Sequence, residues 1–470
     1  MLRALHIKDV GPAARFDLEL GERLNVLTGD NGRGKSFVLE VAWWALTGTW
    51  TDRPVLPHRG KEEGAQIAGE VAYALKWDRD EQPPRDGAYR FEATFNRLAQ
   101  SWDDRLPNRA RDGWVHLGRG VKMAGWLGMA TPVLYARTNG AFSLWDPARG
   151  QAREGTHGHQ IASVEAYHFG ERELWDGLQR EGKTLCNGLI QDWVTWQLEA
   201  VTEDEAHPFH LLRRVLEQLS HPDEPMLPGK PVRLYRDEVR RIPTIHLPYE
   251  TGVPVVHTSA GMRKILALSY MLVWAWTEHV QASRIIGWPP ADRMVVLLEE
   301  PETHLHPKWQ RYIVPALLRV LAGLTPGAPE AQGDATTGAP EAQAGAPTDA
   351  PEAQTGAPEM RPQVLVTTHA PLVLASLEPH FDVARDKLFS FELKEGRTVE
   401  LESCSTVCIS ATASRLSGTE TSSTNCTVVV LTQPALSTST AGPRSSRAPS
   451  GSRKPSSAAG SLSEEKPPQP

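Results

Sequence analysis

The sequence predicts an α/β fold: a mixed sheet with helices on its faces and a phosphate-binding loop at the end of one strand. Three observations lead to it. A glycine-rich loop, Gly29-Asp30-Asn31-Gly32-Arg33-Gly34-Lys35-Ser36, lies between two apolar segments. A second apolar run, Met294–Leu298, ends in Glu299-Glu300. A third, Gln363–Thr368, ends in His369. Short apolar runs that turn polar at one end are the mark of strands buried on both faces of a parallel sheet, with their chemistry at the carboxyl ends.

The loop fits G-x-x-x-x-G-K-[ST] at every fixed position. Arg23–Thr28 before it reads as a buried strand, and Phe37–Leu46 after it as a helix. Strand, loop and helix in this order place free backbone N–H groups and the helix dipole where an anion can sit. Gly29, Gly32 and Gly34 let the backbone curl, so that the N–H groups of the loop, those of Asp30, Asn31 and Arg33 among them, can face phosphate oxygens. Lys35 is expected to reach the β- and γ-phosphates, and Ser36 to bind Mg²⁺.

The two acids after Leu298 are costly at a strand end unless they meet a cation or a proton donor. Glu299 is assigned to the Mg²⁺ shell and Glu300 to polarising the attacking water. His369 ends a strand of the same kind and is expected to contact the γ-phosphate and report its presence. Ser259-Ala260-Gly261 precedes an apolar helix over Met262–Glu278. Ser259 suits the N-cap, and Gly261 permits close approach of phosphate or of a second chain. His304 and His306 stand two residues apart with no third ligand in view, which favours a loop role over a metal site.

The other elements follow from pattern. Gly64–Lys76 alternates as a half-buried strand. Pro83-Pro84 and the charged, Trp-bearing stretch to about Arg119 read as loops. Pro132–Ala136 and Phe142–Trp145 form a predicted hairpin about Thr138-Asn139-Gly140. Residues 151–222 read as helical, with helices at Gly188–Gln197 and His210–Leu219 and no long heptad run. A strand at Ile242–Leu247 and a helix at Lys308–Leu321 follow. Between 325 and 360 the motif Ala-Pro-Glu-Ala-Gln recurs at 328, 339 and 350, with six acidic residues and no basic ones. That composition buries no core and predicts a disordered insertion. Past Glu402 Ser, Thr and Pro dominate, which fits either a native disordered tail or a frame-shifted terminus.

The net charge of −7 over 470 residues excludes a broadly basic nucleic-acid coat but leaves room for a local basic groove. Cys186, Cys404, Cys408 and Cys426 make no metal or disulfide pattern, which suits a reducing cytosol. The longest apolar helix, Ile265–Trp276, is too short to span a bilayer, so a cytoplasmic protein with no membrane partner is expected.

With these motifs the chain resembles the ABC-type ATPase superfamily, in the branch of chromosome-maintenance and double-strand-break-repair ATPases. It is most similar there to the prokaryotic AAA family ATPases of OLD-type and Septu-type phage-defence proteins. The resemblance rests on Gly29–Ser36 (Walker A), Ser259-Ala260-Gly261 (signature), Val295–Glu302 with His304-Leu305-His306-Pro307 (Walker B and D-loop), Thr368-His369 (switch), and the opening strand Leu2–Val10. Ser259-Ala260-Gly261-Met262-Arg263 departs from the usual Ser-Gly-Gly-Gln signature, and Gln66, Gln160 and Gln191 are the candidates for a Q-loop glutamine. The resemblance implies a P-loop ABC-type ATPase head with a mixed sheet, a helical insertion subdomain, and a disordered loop and tail. Its parts are an ATPase lobe at 1–150, a helical subdomain at 151–240, the signature helix and Walker B at 241–324, the insertion at 325–360, the switch-histidine strand at 361–402, and the tail at 403–470. It further implies ATP and Mg²⁺ as ligands, a homodimer sandwiching ATP between Walker A and the partner's signature, and control of DNA or of an HNH-type nuclease in defence or repair. The competing readings are the ATPase subunit of a transporter and a nucleotide-sensing regulator that hydrolyses weakly.

Overall fold

The computed structural model describes residues 1–75, 85–105, 114–117, 120–123, 126–127, 131–149, 165–200, 204–286, 290–324, 360–394 and 398–404. The described residues all fall within the compact unit Met1–Leu431, and Thr432–Pro470 lies outside them. The expected insertion at 325–360 falls almost wholly outside them, as does the tail beyond Cys404.

The chain opens with β1 (Leu2–Lys8) and β2 (Arg15–Glu19), whose side chains broadly alternate between buried and exposed. That is the period of a sheet covered on one face. β3 (Leu24–Gly29) is instead buried along Leu24–Thr28 and feeds the glycine loop into α1 (Lys35–Thr47). β4 (Gln66–Leu75), β5 (Arg85–Asn96) and β6 (Ser101–Arg105) complete an antiparallel sheet in the order β2-β1-β4-β5-β6. This corrects the loop expectation after Pro84. β5 pairs with β4 from Arg85 to Thr94, with Phe91 and Ala93 inward and Arg90 and Glu92 outward. The charges that suggested a loop are the exposed half of a two-residue period. β7 (Trp114–Leu117), β8 (Gly120–Met123) and β9 (Trp126–Leu127) form a small separate sheet in the same stretch.

β10 (Val133–Ala136) and β11 (Phe142–Trp145) are the expected hairpin. The segment expected to be helical holds strands as well. β12 (Tyr167–Phe169) pairs with β11, and α2 (Glu171–Asp176) leads to a short ribbon of β13 (Leu178–Arg180) and β14 (Lys183–Cys186). α3 (Leu189–Glu199) and α4 (Pro208–Leu219) lie close to their expected places. β15 (Leu227–Val232), β16 (Ile242–Leu247) and β17 (Glu250–Pro254) form a three-stranded sheet. α5 (Ala260–Ile285) runs past the expected end at Glu278. β18 (Arg293–Glu299) follows, and the single helix expected at Lys308–Leu321 is split into α6 (Pro307–Gln310) and α7 (Ile313–Ala322). β19 (Arg361–Thr368), α8 (Pro371–Leu377), β20 (Asp386–Lys394) and β21 (Thr398–Cys404) end the described chain, so strand pairing extends past the boundary drawn at 402.

The central sheet has eight strands in the order β12-β11-β10-β18-β19-β3-β20-β21. Its inner strands β10, β18, β19, β3 and β20 run parallel. Each face buries its own core. Met294, Val296 and Leu298 pack with α3, α4, α5 and α7, while Val295 and Leu297 pack with α1 and the β1–β6 sheet. Such two-sided burial is why these strands read as unbroken apolar runs.

Buried polar groups tie distant segments to this sheet. The Gln363 side chain donates to the carbonyls of Leu2 and Gly21 and accepts from the Leu2 N–H, each at 2.8 Å. Fully buried Asp386 accepts from Arg23 Nε at 2.9 Å and from the N–H of Asp382 at 2.7 Å. On the helical side, Tyr270 donates to Asp192 at 2.7 Å and lies 3.1 Å from Cys186 Sγ, joining α5 to α3 and β14. Burial pushes the Cys186 thiol up to about 11.

Two outcomes follow. Arg23→Met strands the Asp386 carboxylate in the core and should cost roughly 3 kcal/mol, read as a lowered urea midpoint; an unchanged midpoint contradicts the pairing. With Cys404, Cys408 and Cys426 replaced by serine, Cys186 should resist a thiol reagent at pH 8 until urea unfolds the protein, because the thiolate is the reactive form.

Candidate nucleotide site

Parallel pairing sets the carboxyl ends of three strands abreast. Glu299 of β18 is level with Thr367 of β19, and Thr367 with Leu27 of β3. Neighbouring strands lie about 4.8 Å apart. The glycine loop, the acidic turn and the histidine therefore leave the sheet at one edge within a few residues of one another.

In the loop, Gly29, Gly32 and Gly34 have φ of 132°, 76° and 100°. A Cβ on Gly34 would also lie 2.3 Å from the Pro12 ring, so this position admits glycine on both counts. Asp30, Asn31, Gly32 and Ser36 are exposed, with Ser36 in the first turn of α1, and Arg33 pairs with Asp30 at 2.8 Å. Lys35 is buried, and its ammonium donates to the carbonyls of Gly29 at 2.7 Å and Asp30 at 2.9 Å. Burial lowers its pKa against the pull of Glu300, Asp30 and Glu302. Among the described residues no carboxylate makes an ion pair with it, which leaves a cation at the loop that a phosphate can complete.

Across the edge, Glu299 accepts from the Thr138 N–H at 3.1 Å. Glu300 takes the left-handed φ of 42°, a strain of about 1–2 kcal/mol for a side-chain-bearing residue. Its N–H donates to the carbonyl of Thr367 at 3.1 Å and lies 3.2 Å from that residue's hydroxyl. His369 Nδ1 stands 3.3 Å from Glu300 Oε1 with its ring partly exposed. Ser259 caps α5, its Oγ accepting from Met262 N–H at 3.3 Å, and both Ser259 and Ala260 are exposed. Gly261 is not open to another molecule. A Cβ there would lie 2.8 Å from the His304 carbonyl of the same chain. Close approach does explain this glycine, with its own Walker B turn as the neighbour.

Sequence reasoning gave no role to three groups here. Glu302 is buried, and its Oε1 accepts from the Thr368 hydroxyl at 2.6 Å and the His369 N–H at 3.2 Å, so it fixes the switch turn. Lys264 donates to the Glu300 carbonyl at 2.7 Å; burial pushes it down to about 8, against attraction from Glu302, Glu300 and Glu299. A lysine in the first turns of an apolar helix was its only signal. Thr138, flagged only as part of a turn, holds Glu299. Of the glutamines considered, Gln66 lies on β4, Gln191 is exposed on α3, and Gln160 is outside the described residues. A cavity of about 250 Å³ opens beside the acids, lined by Thr138, Trp175, Arg263, Lys264, Glu299 and His304 among others; the glycine loop does not line it.

Among the described residues no three His, Cys, Asp or Glu gather as a metal cage. His306 instead caps α6, its Nδ1 accepting from Lys308 N–H at 3.4 Å. The hydroxyl of Ser36 and the carboxylate of Glu299 suit an ion that draws its other oxygens from phosphates and water, as Mg²⁺ does. An exposed glycine loop, an ammonium free of carboxylate partners and two acids at one sheet edge fit a nucleoside triphosphate with that ion.

Residues 200–375 match the family model described as "AAA domain, putative AbiEii toxin, Type IV TA system". This segment holds the signature helix, the acidic turn and the histidine strand, and the glycine loop precedes it. No curated protein matches the chain. Among solved structures it is similar to the SmcHead bound to the C-winged helix domain of ScpA, at 11% identity, 86% of this chain, 97% of that one and a TM-score of 0.39. It is also similar to the SMC head domain from Thermotoga maritima, at 12% identity, covering 85% and 98%, TM-score 0.36. A third is the Smc head domain with an extended coiled coil bound to the C-terminal domain of ScpA derived from Pyrococcus furiosus, at 9% identity, covering 86% and 96%, TM-score 0.36. The AAA model thus matches the segment that carries the acids and the histidine, and the central sheet sets the glycine loop, which precedes that segment, against them.

Proposed function

We propose that this chain binds Mg²⁺·ATP and hydrolyses it between two copies of itself, and that the resulting opening and closing governs DNA or a partner nuclease. The observation that carries the reading is the buried, carboxylate-free ammonium of Lys35 at the same sheet edge as Glu299, Glu300 and His369. In this reading loop N–H groups and Lys35 hold the β- and γ-phosphates, while Ser36 and Glu299 hold the ion. Bound Mg²⁺ supplies charge neutralisation at the phosphate oxygens. Glu300 orients water for attack on the γ-phosphorus. As the new P–O bond forms and the bond to the β-phosphate oxygen breaks, the water's proton passes to the Glu300 carboxylate. ADP and phosphate leave. His369, beside Glu300, contacts the γ-phosphate and registers its loss.

The exposed Ser259 and Ala260 support the two-copy arrangement. The Ser259 oxygen accepts within its own helix, which leaves its O–H to donate to phosphate on a second copy. The defence role is supported by the resemblance to phage-defence ATPases and by the toxin–antitoxin description of the matched family. No helix among the described residues is long and apolar enough to cross a membrane.

Lys35→Ala should abolish nucleotide binding in equilibrium dialysis, and normal retention contradicts the cradle. Glu300→Gln should lower turnover roughly 10²- to 10⁴-fold while ATP holds the copies together, seen as doubled mass in light scattering. A monomeric Glu300→Gln protein with full turnover removes the assignment. EDTA should stop hydrolysis and added Mg²⁺ restore it. Duplex DNA should raise turnover; a rate unmoved by DNA leaves the nuclease partner as the governed element.

A further inference from the structure

We infer that Lys264 is a positioning residue for hydrolysis, holding the backbone carbonyl of Glu300 from the signature helix and so fixing where the Glu300 carboxylate points. The inference rests on the reading of Glu300 as the group that takes the proton of water.

Glu300 occupies a backbone conformation that side-chain-bearing residues seldom adopt, with φ of 42°. Such a conformation persists only where the surroundings over-determine it. Here both ends of the residue are held. Its N–H is fixed to Thr367 of β19, and its C=O accepts from Lys264 Nζ at 2.7 Å and from Thr303 N–H at 3.1 Å. Lys264 is the one side chain bonded to that carbonyl among the described residues.

A lysine placed only to neutralise the acids would sit on a carboxylate. Lys264 has three carboxylates near enough to attract it, Glu299, Glu300 and Glu302, yet among the described residues its ammonium bonds a backbone oxygen. Desolvating an ammonium is costly. Bonding it to a neutral carbonyl makes sense where the turn itself is what needs holding. The second contact between the same parts agrees: Gly261 lies so close to the His304 carbonyl that a Cβ would reach 2.8 Å. The start of α5 therefore touches the acidic turn at two points on either side of Pro301. In a two-copy assembly Ser259 at that helix end faces the other copy's nucleotide. A shift of α5 there reaches this copy's Glu300 through Lys264, which links one ATP site to the other.

The test compares Lys264→Met and Lys264→Arg, alone and with Glu300→Gln, measuring kcat, KM and nucleotide affinity, with single-turnover rates where kcat is small. Lys264→Met should lower kcat roughly 100-fold, the scale of a misaimed catalytic group, with KM and affinity within about twofold. Lys264→Arg, which can still donate to the carbonyl, should recover about a tenth or more of the rate. On the Glu300→Gln background Lys264→Met should cost less than about threefold, because both act through one carboxylate. Any of three results overturns the proposal: wild-type kcat in Lys264→Met, a loss confined to KM or affinity, or the same loss on both backgrounds. If circular dichroism shows Lys264→Met unfolded, Lys264→Gln is read by the same criteria. A wild-type protein that binds ATP and never turns it over defeats the ATPase reading as well. A hydrolysing wild type with an unaffected Lys264→Met defeats the role of Lys264 alone.

Discussion

Strand register is the constraint on which the site hangs. Glu299, Thr367 and Leu27 are level across three parallel strands, and each strand stops within two residues of that level. No side chain reaches far to join the site. A slip of one residue in β19 would exchange the faces that Thr367 and Thr368 now occupy and uncouple the histidine turn from Glu302. The apolar runs thus do two jobs. They bury both faces of the sheet, and in doing so they set which residue of each strand is the last before the loop.

The edge they create is electrostatically incomplete. Glu299, Glu300 and Glu302 face Lys35 and Lys264, yet among the described residues neither lysine makes an ion pair with a carboxylate; both bond backbone carbonyls. Glu302 has one buried oxygen, Oε2, without a hydrogen-bond partner among the described residues. Clusters of charge left uncompensated at the mouth of a sheet mark functional sites rather than stabilising ones. In the proposed function, a triphosphate with its divalent ion would supply the complementary charges, anionic oxygens toward Lys35 and a cation toward Glu299.

What was legible in the sequence depended on how local the signal was. The loop, the acidic turn and the histidine strand each carry their signature in a few consecutive residues, and the hairpin at Asn139-Gly140 follows from turn chemistry. β5 was illegible because its outward charges, Arg90 and Glu92, outweighed the inward Phe91 and Ala93 to the eye. β12, at three residues, is too short to show a period and exists because β11 offers it an edge. Lys264, Thr138 and the anchoring role of Glu302 were hidden for another reason. Each acts through a contact more than thirty residues away in sequence, and no spacing within one segment encodes such a contact.

Gly261 shows how motif reading and packing can be separated. Its place after Ser259-Ala260 suggests a glycine kept bare for a partner's phosphate, and by that logic a departure from Ser-Gly-Gly-Gln weakens the clamp. The structure supplies a different demand, because the His304 carbonyl of the same chain already fills the space a side chain would need. Ala260, by contrast, is exposed on the helix end and carries its Cβ without conflict, so the position where this chain departs from glycine is the one where packing asks for none. The glycine that remains is retained for the contact between α5 and the acidic turn. In the two-copy arrangement proposed above, the group left to meet the second copy is the Ser259 hydroxyl, whose capping bond uses its oxygen and leaves its hydrogen free.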